Sequence, residues 1–283
     1  MSVIIITGDG LEHKYVRKCL IGSLKDHVAG ILIEKPLPRR MSFSILRNLH
    51  RRYSFIRIIE RSVTKLCRIF LRHSARKEVA LRSVIGEIKE TCTTAHTLYT
   101  RSVNSAESAA WIKDLRPDLI FVYGTGIVSD KILSLASKTS LNLHTGISPF
   151  YRGSDTYFWP LYHKEALMIG STVHECTANV DGGAIYARIS VRLQPNDNPF
   201  LAFARCVHSG AIVYAQVAKC LVAGGHIKKQ HQDFSIGREY RFLDRTFVQD
   251  LKMEYLIKSG KLRRIIGFSM SQKLPYWHSE ELC

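Results

Sequence analysis

The amino-acid sequence predicts an α/β protein whose mostly parallel sheet carries helices on both faces. Two observations point there: short β-branched runs that end at turn residues, and helical patterns placed between them. A third, an apolar content of 46% over 283 residues, allows a sizeable core and excludes a disordered chain.

Taken in order, Val3-Ile-Ile-Ile6 reads as a buried strand stopped by Thr7-Gly-Asp-Gly10. A helical pattern runs from His13 to Leu24, and Val28 to Ile33 is a second strand, halted by Pro36 and Pro38. Ala106 to Leu115 is helical in pattern, and Asp118 to Tyr123 is a third strand ending at Gly124. Ser129 to Ala136 reads as a helix, and Ser140 to His144 as a strand entering a Gly/Pro-rich loop. This alternation implies right-handed crossovers between parallel neighbours. Thr172 to Cys176 and Ala184 to Leu193 are two further strands, with antiparallel pairing open to them. Phe200 to Val222 is a long helix ended by Gly224-Gly225. Residues 226–283 are polar, with a Tyr240-Arg-Phe stretch and one helical segment; no internal repeat is visible.

No apolar run approaches the roughly 18 residues that cross a bilayer, and Met1 to Gly8 does not have the form of a signal peptide. Seven cysteines (19, 67, 92, 176, 206, 220 and 283) are scattered without a C-x-x-C pair. That spacing argues against a disulfide framework or a structural zinc site, and for a reducing cytosol.

The net charge of +17 is concentrated. Between Arg39 and Arg82 there are 13 basic residues against two acids, Glu60 and Glu78. Arg57, Arg61, Lys65, Arg68, Arg72 and Arg76 recur at helical spacing on one face, with Ile56, Ile59, Val63, Leu66 and Phe70 mostly opposite. This basic amphipathic helix, around residues 55–76, has three uses open to it. It packs its apolar face on the domain and solvates the other, it lies on an anionic membrane, or it binds phosphate, of RNA or of a nucleotide-linked substrate.

The chemistry gathers at Asn142-Leu-His144, at the carboxyl end of a strand. Residues i and i+2 of a strand point to one side, and such strand ends line the crevice where α/β proteins bind ligands. The loop Thr145 to Gly153 lets backbone approach a substrate, and Asp181-Gly182-Gly183 supplies a carboxylate. An amide, an imidazole and a carboxylate together suit acyl transfer to an amine. His174, on the next strand, either faces the crevice or packs in the core.

At these residues the chain resembles the formyltransferases that use 10-formyltetrahydrofolate. That family includes methionyl-tRNA, glycinamide ribonucleotide and sugar N-formyltransferases, together with formyltetrahydrofolate hydrolase. The resemblance rests on Asn142-Leu-His144, Pro149-Phe-Tyr-Arg-Gly153 and Thr172-Val-His-Glu-Cys-Thr-Ala-Asn-Val-Asp-Gly-Gly183, in the family's order and spacing. It covers about residues 1–222. It implies a Rossmann-like catalytic domain over 1–225, a basic helical insertion about 39–90 and a short C-terminal extension over 226–283. It further implies that Asn142, His144 and Asp181 are catalytic, and that Tyr123, Gly126, Ile127, Val128, Asn179, Val180 and Gly182 hold the pterin. Ser148, Tyr151, Arg152 and His174 would meet the acceptor. The co-substrate would be 10-formyltetrahydrofolate, with no metal. Asn142 and His144 would steady the oxyanion, while Asp181, through a water, takes the amine's proton.

Departures from the family pattern narrow the acceptor. Gly8-Asp9-Gly10 places an anion where the purine-pathway enzyme cradles a phosphate. The 58 residues after 225 are too few for the tRNA enzyme's C-terminal barrel, and a first strand at Val3 leaves no regulatory domain of the hydrolase type. The expectation is therefore a small-molecule amine acceptor, an amino sugar carried on a nucleotide, handled in the cytoplasm or at a membrane surface. The alternatives are a methionyl-tRNA or glycinamide ribonucleotide enzyme, a hydrolase, and an inactive folate-binding or scaffold module.

Overall fold

The structure, a computed structural model, describes residues 1–35, 55–89, 93–177 and 180–272. The expected stops at Pro36 and Pro38, the first part of the basic segment and Asn179 lie outside the described residues.

Seven strands form the main sheet: β1 (Val3–Thr7), β2 (Val28–Glu34), β3 (His96–Thr100), β4 (Leu119–Tyr123), β5 (Thr139–His144), and then β7 (Gly170–Glu175) and β8 (Ile185–Ser190). Their spatial order is β3-β2-β1-β4-β5-β7-β8; the first five are parallel and β7 and β8 antiparallel. The fold is thus the Rossmann-like α/β class that the alternation predicts. Strand β3 escaped the sequence reading because it is a short edge strand with mostly exposed side chains, so it carries no run of apolar residues.

One face of the sheet is covered by α1 (Leu11–Leu24), α3 (His73–Ile85) and α7 (Pro199–Val222), with Val16, Leu20, Leu81, Phe203 and Tyr214 among the core residues. The other face buries Ile4, Ile6, Ile120 and Val122 against Ile112 of α4 (Ala106–Leu115) and Ile132 of α5 (Asp130–Leu133). Helix α5 is shorter than the pattern over Ser129 to Ala136 predicts. Helix α7 starts where Asn198 accepts hydrogen bonds from the N–H groups of Phe200 and Leu201, with Pro199 in the first turn. Its 24 residues are long and apolar enough to span a bilayer by composition, but most of that stretch is buried inside the protein. From its middle, the fully buried Tyr214 reaches the carbonyl of Leu141 at 2.7 Å and so braces β5 beside Asn142.

Residues after 225 fold back onto the domain. β9 (Arg238–Tyr240) pairs with β6 (Tyr151–Gly153), which follows β5 in the chain. Tyr240 stacks on Tyr151 and on Trp159 of α6 (Trp159–Tyr162), with ring centroids 5.9 and 4.4 Å apart. Around this stack a second core gathers Phe158, Leu161, Met253, Leu256 and Ile266. The last two of the helices that surround it, α8 (Phe247–Lys258) and α9 (Lys261–Met270), stand where the sequence reading expected one.

The basic helical pattern over 55–76 is divided. Helix α2 (Phe55–Phe70) ends before α3 because Arg72 takes a left-handed conformation, φ 53°. Of the three uses open to it, packing of the apolar face on the domain is not the one seen, because α2 turns that face outward: Ile56, Leu66 and Phe70 are 77, 66 and 86% exposed. The polar side faces α8 instead, because that helix presents acceptors and donors that only a polar side can satisfy. Thr64 accepts the Phe247 N–H, Arg68 donates to the buried Asp250 at 2.7 Å, and Arg76 at the start of α3 pairs with Glu254. Cys19, Cys67, Cys176 and Cys206 are free thiols. Cys220 is disulfide-bonded, a pairing that the scattered spacing gave no sign of.

Candidate active site

A cavity of about 680 Å³ opens at the carboxyl ends of β1, β4 and β5, where neighbouring parallel connections diverge to opposite faces. Asn142 and His144 project into it together from β5, as their i, i+2 spacing requires, while Leu141 and Leu143 enter the core. Antiparallel pairing puts His174 of β7 directly opposite Asn142, so His174 faces the cavity too. Asp181 arrives from the β7–β8 loop in a left-handed conformation, φ 49°, a region that Asp tolerates better than most residues. Its main-chain carbonyl accepts from Gln232, which also donates to the carbonyl of Gly183 and thus clamps the loop from the C-terminal side.

The four side chains form one network. Asp181 Oδ2 lies 3.2 Å from His144 Nδ1 and accepts the Gly153 N–H at 2.9 Å. Its Oδ1 lies 3.4 Å from His174 Nε2. His174 donates through Nδ1 to the carbonyl of Glu175 at 2.7 Å, which leaves Nε2 to accept from the Asn142 amide at 3.2 Å. One N–H of Asn142 is thereby spoken for, and the other is available to a ligand.

His144 sits between two acceptors, the Asp181 carboxylate and the carbonyl of Tyr151 at 3.2 Å from Nε2. A neutral ring can satisfy one of them and a protonated ring both. Burial nonetheless pushes its pKa below the ordinary histidine value, against the pull of Asp181. Burial would raise the Asp181 carboxyl, but the adjoining His144 ring and the Gly153 N–H outweigh it and hold the group well below the usual carboxylate range. At neutral pH the pair is therefore a neutral imidazole beside an ionised carboxylate. Such a ring can take a proton and gain a second hydrogen bond by doing so. Gly146 protects this geometry, because a Cβ there would come within 2.5 Å of His144 Nε2.

Of the expected pterin residues, Tyr123, Gly126, Ile127, Val128 and Val180 line the cavity, and Gly182 does not. Tyr123, Ile127 and Val128 form an apolar wall with a backbone edge suited to a flat heterocycle. Their loop is pinned from outside: Glu34 accepts the Gly126 N–H, and Asn104 bonds the carbonyl of Ile127 and the N–H of Ser129. Of the expected acceptor residues, His174 alone lines the cavity. Ser148 is buried behind it, with its N–H on Thr172; Tyr151 spends its hydroxyl on Glu165, and Arg152 lies over the Phe234 ring.

Glu12, His13, Lys77 and the run Glu239 to Phe242 also line the cavity, although sequence reasoning gave them no role there. Two stretches carried a signal: the Gly8 to His13 loop, with its two glycines before a helix, and Gly237 to Phe242, which resembles a segment of the sugar-type enzymes. His13 accepts the Gly10 N–H on Nδ1 and meets the carbonyl of Gly124 through Nε2, so it bridges the β1 and β4 loops. Asp9 pairs with Lys35 at 2.9 Å. The start of α1 thus has a donor already occupied and a carboxylate beside it, a poor seat for phosphate. Among the described residues no group of three or more His, Cys, Asp or Glu is placed to hold a metal ion.

A family model described as "Formyl transferase" matches residues 71–217, just over half of the chain. The chain belongs to this family. The match includes Asn142, His144, His174 and Asp181, and it begins beside α3. The bifunctional polymyxin resistance protein ArnA of Wigglesworthia glossinidia brevipalpis is 32% identical over 100 residues, 35% of this chain and 15% of that protein. The match therefore spans a small part of that relative. Among solved structures, an N-formyltransferase from Helicobacter canadensis in complex with folinic acid and dTDP-3-aminofucose aligns with a TM-score of 0.52 at 14% identity. That alignment covers 87% of this chain and 72% of that one. Glycinamide ribonucleotide transformylase 1 from Symbiobacterium toebii aligns with a TM-score of 0.51 at 16% identity, over 82 and 95%. At these identities the likeness establishes the Rossmann-like fold and leaves the acceptor to the chemistry of the site.

The buried imidazoles set a pH dependence for stability. Burial lowers the pKa of His13, His73 and His144, so each stays neutral in the folded protein while its unfolded counterpart protonates near the ordinary value of 6.5. The unfolded state then binds more protons, and stability present above about pH 6.5 is lost as pH falls below it. Thermal melts should move to lower temperature between pH 7.5 and pH 5.5. A melting temperature that is flat or rising over that interval contradicts the assignment.

Proposed function

We propose that this protein transfers a formyl group from 10-formyltetrahydrofolate to the primary amine of an amino sugar carried on a nucleotide. The observation that carries the reading is the convergence of Asn142, His144 and Asp181 on one wall of a cleft at the carboxyl edge of the sheet. The reduced folate supplies the formyl group, and the apolar wall at Tyr123, Ile127 and Val128 fits its flat ring.

The free Asn142 N–H donates to the formyl oxygen as the acceptor nitrogen adds to the formyl carbon and charge builds on that oxygen. The proton that the amine gives up is assigned to His144 rather than to Asp181. Asp181 is held too far down to be an effective base, whereas His144 gains the Tyr151 carbonyl as a partner on protonation. Asp181 orients the ring and balances its positive charge. When the oxyanion collapses, the carbon–nitrogen bond to the donor breaks and His144 returns the proton to the departing nitrogen.

The acceptor class is supported by the named relative that binds folinic acid and a dTDP-amino sugar. It is also supported by the occupied start of α1, which disfavours a phosphate there. The test is incubation with the formyl donor and a panel of nucleotide-linked amino sugars, glycinamide ribonucleotide and charged initiator tRNA, read by mass spectrometry. A gain of one formyl group on an amino-sugar nucleotide supports the reading. Formylation confined to another acceptor overturns the acceptor class, and formate release without any acceptor identifies a hydrolase.

A further inference from the structure

A second cavity, of about 710 Å³, lies between α2, the start of α3 and the chain from Phe242 to Thr246. Arg57, Arg61, Lys65, Arg68, Arg72 and Arg245 line it, against one lining carboxylate, Glu60. An amphipathic helix ordinarily buries its apolar face, but α2 leaves Ile56, Leu66 and Phe70 exposed while its basic side lines the concavity, with Arg68 half-buried and Arg57, Arg61, Lys65 and Arg72 open to solvent. Cations gathered around a concavity repel one another, so this arrangement is stabilised by an anion placed among them.

The cavity is partly preorganised. Asp250, fully buried, receives Arg68 on one oxygen and Arg245 on the other, both at 2.7 Å. Arg245 is 4% exposed in its side chain, pairs with Asp155 and lies 3.8 Å over the Phe158 ring. Guanidinium groups fixed in this way present planar, multiply donating edges, the geometry that suits phosphate oxygens.

The cavity also adjoins the candidate active site. Phe242, 59% exposed, lines both, Arg241 lines the catalytic cavity, and Leu243, Arg245 and Thr246 line the basic one. From Arg241 to Arg245 the chain reaches at most about 14 Å. A ligand with an amine at one end and two phosphates further along can therefore bridge the two, with the Phe242 ring between them. A concave, half-open cavity of this size favours a small anion over an extended nucleic-acid backbone.

We propose that the cavity between α2 and the 242–246 segment binds a pyrophosphate group, and that it takes the diphosphate of a nucleotide-linked acceptor whose amine reaches Asn142 and His144. The second half of that statement rests on the function proposed above, and the first half does not.

The test uses the full chain at low salt and titrates inorganic pyrophosphate by calorimetry into the wild type and into a variant carrying Arg57→Gln, Lys65→Gln and Arg72→Gln. These three side chains hold no ion pair among the described residues, so the pairs of Arg68, Arg76 and Arg245 that join this junction stay in place in the variant. Binding by the wild type that weakens at least tenfold in the variant supports the site. Absence of binding, or equal binding by both proteins, overturns it. In a parallel titration 5-formyltetrahydrofolate binds both proteins alike if the loss is local to the basic cavity. If pyrophosphate binds and folate binds neither protein, the cavity assignment stands and its link to formyl transfer is overturned. Phosphatidylglycerol vesicles form the last arm. Vesicle binding that the variant abolishes, with no pyrophosphate binding by the wild type, overturns the proposal in favour of a lipid headgroup.

Discussion

Replacing His144 by alanine is expected to lower kcat for formyl transfer by roughly 10²- to 10⁴-fold, the range over which a positioned acid–base group acts. Asn142→Ala should lower it by roughly 10²- to 10³-fold, as loss of one oxyanion donor does. In both variants the core is untouched, because Leu141 and Leu143, not Asn142 and His144, enter the cluster behind β5. Far-ultraviolet circular dichroism should therefore be unchanged. Asp181→Asn separates the roles further. The carboxylate is what raises the His144 pKa against burial, so its loss should move the acid limb of the kcat/KM profile to lower pH as well as reduce the rate. Turnover near the wild-type level in the Asn142→Ala/His144→Ala double variant contradicts the assignment.

The second large effect is on stability. Asp250→Ala should destabilise the fold by about 3 to 5 kcal/mol, because it leaves cationic groups without the buried carboxylate that receives them. Arg245 is nearly inaccessible and Arg68 partly so, and both point at that one group. By the entropy scale of a chain this size, the melting temperature should fall by about 10 °C. Asp250→Asn keeps the shape and one acceptor but removes the charge, and should fall between the two. A melting temperature for Asp250→Ala within a degree or two of wild type would show that the pairs at this junction contribute little.

What could be read from the residues was what is encoded locally. Buried parallel strands are continuous apolar runs, so Val3 to Ile6 and Asp118 to Tyr123 were visible, and the strand period alone placed Asn142 and His144 side by side. The sheet class and the family followed from them. Long-range pairings were not encoded in this way. No pattern in Gln232 announces that it clamps the Asp181 loop, and none in Glu34 or Asn104 that they hold the Gly126 to Ser129 backbone. The orientation of α2 stayed open for the same reason. Its amphipathic period is plain, but which face turns inward is decided by Asp250, some 180 residues away.

The pairing of β6 with β9 ties the geometry at Asp181 to chain that lies well beyond the sheet. Gly153, whose N–H grips the carboxylate, is held in register by Tyr240, and Ser154 bonds the carbonyl of the same tyrosine. Fraying of the tail would therefore disarm catalysis without melting the domain, so amide-exchange protection at Gly153 and turnover should decline in step while the seven-stranded platform stays intact.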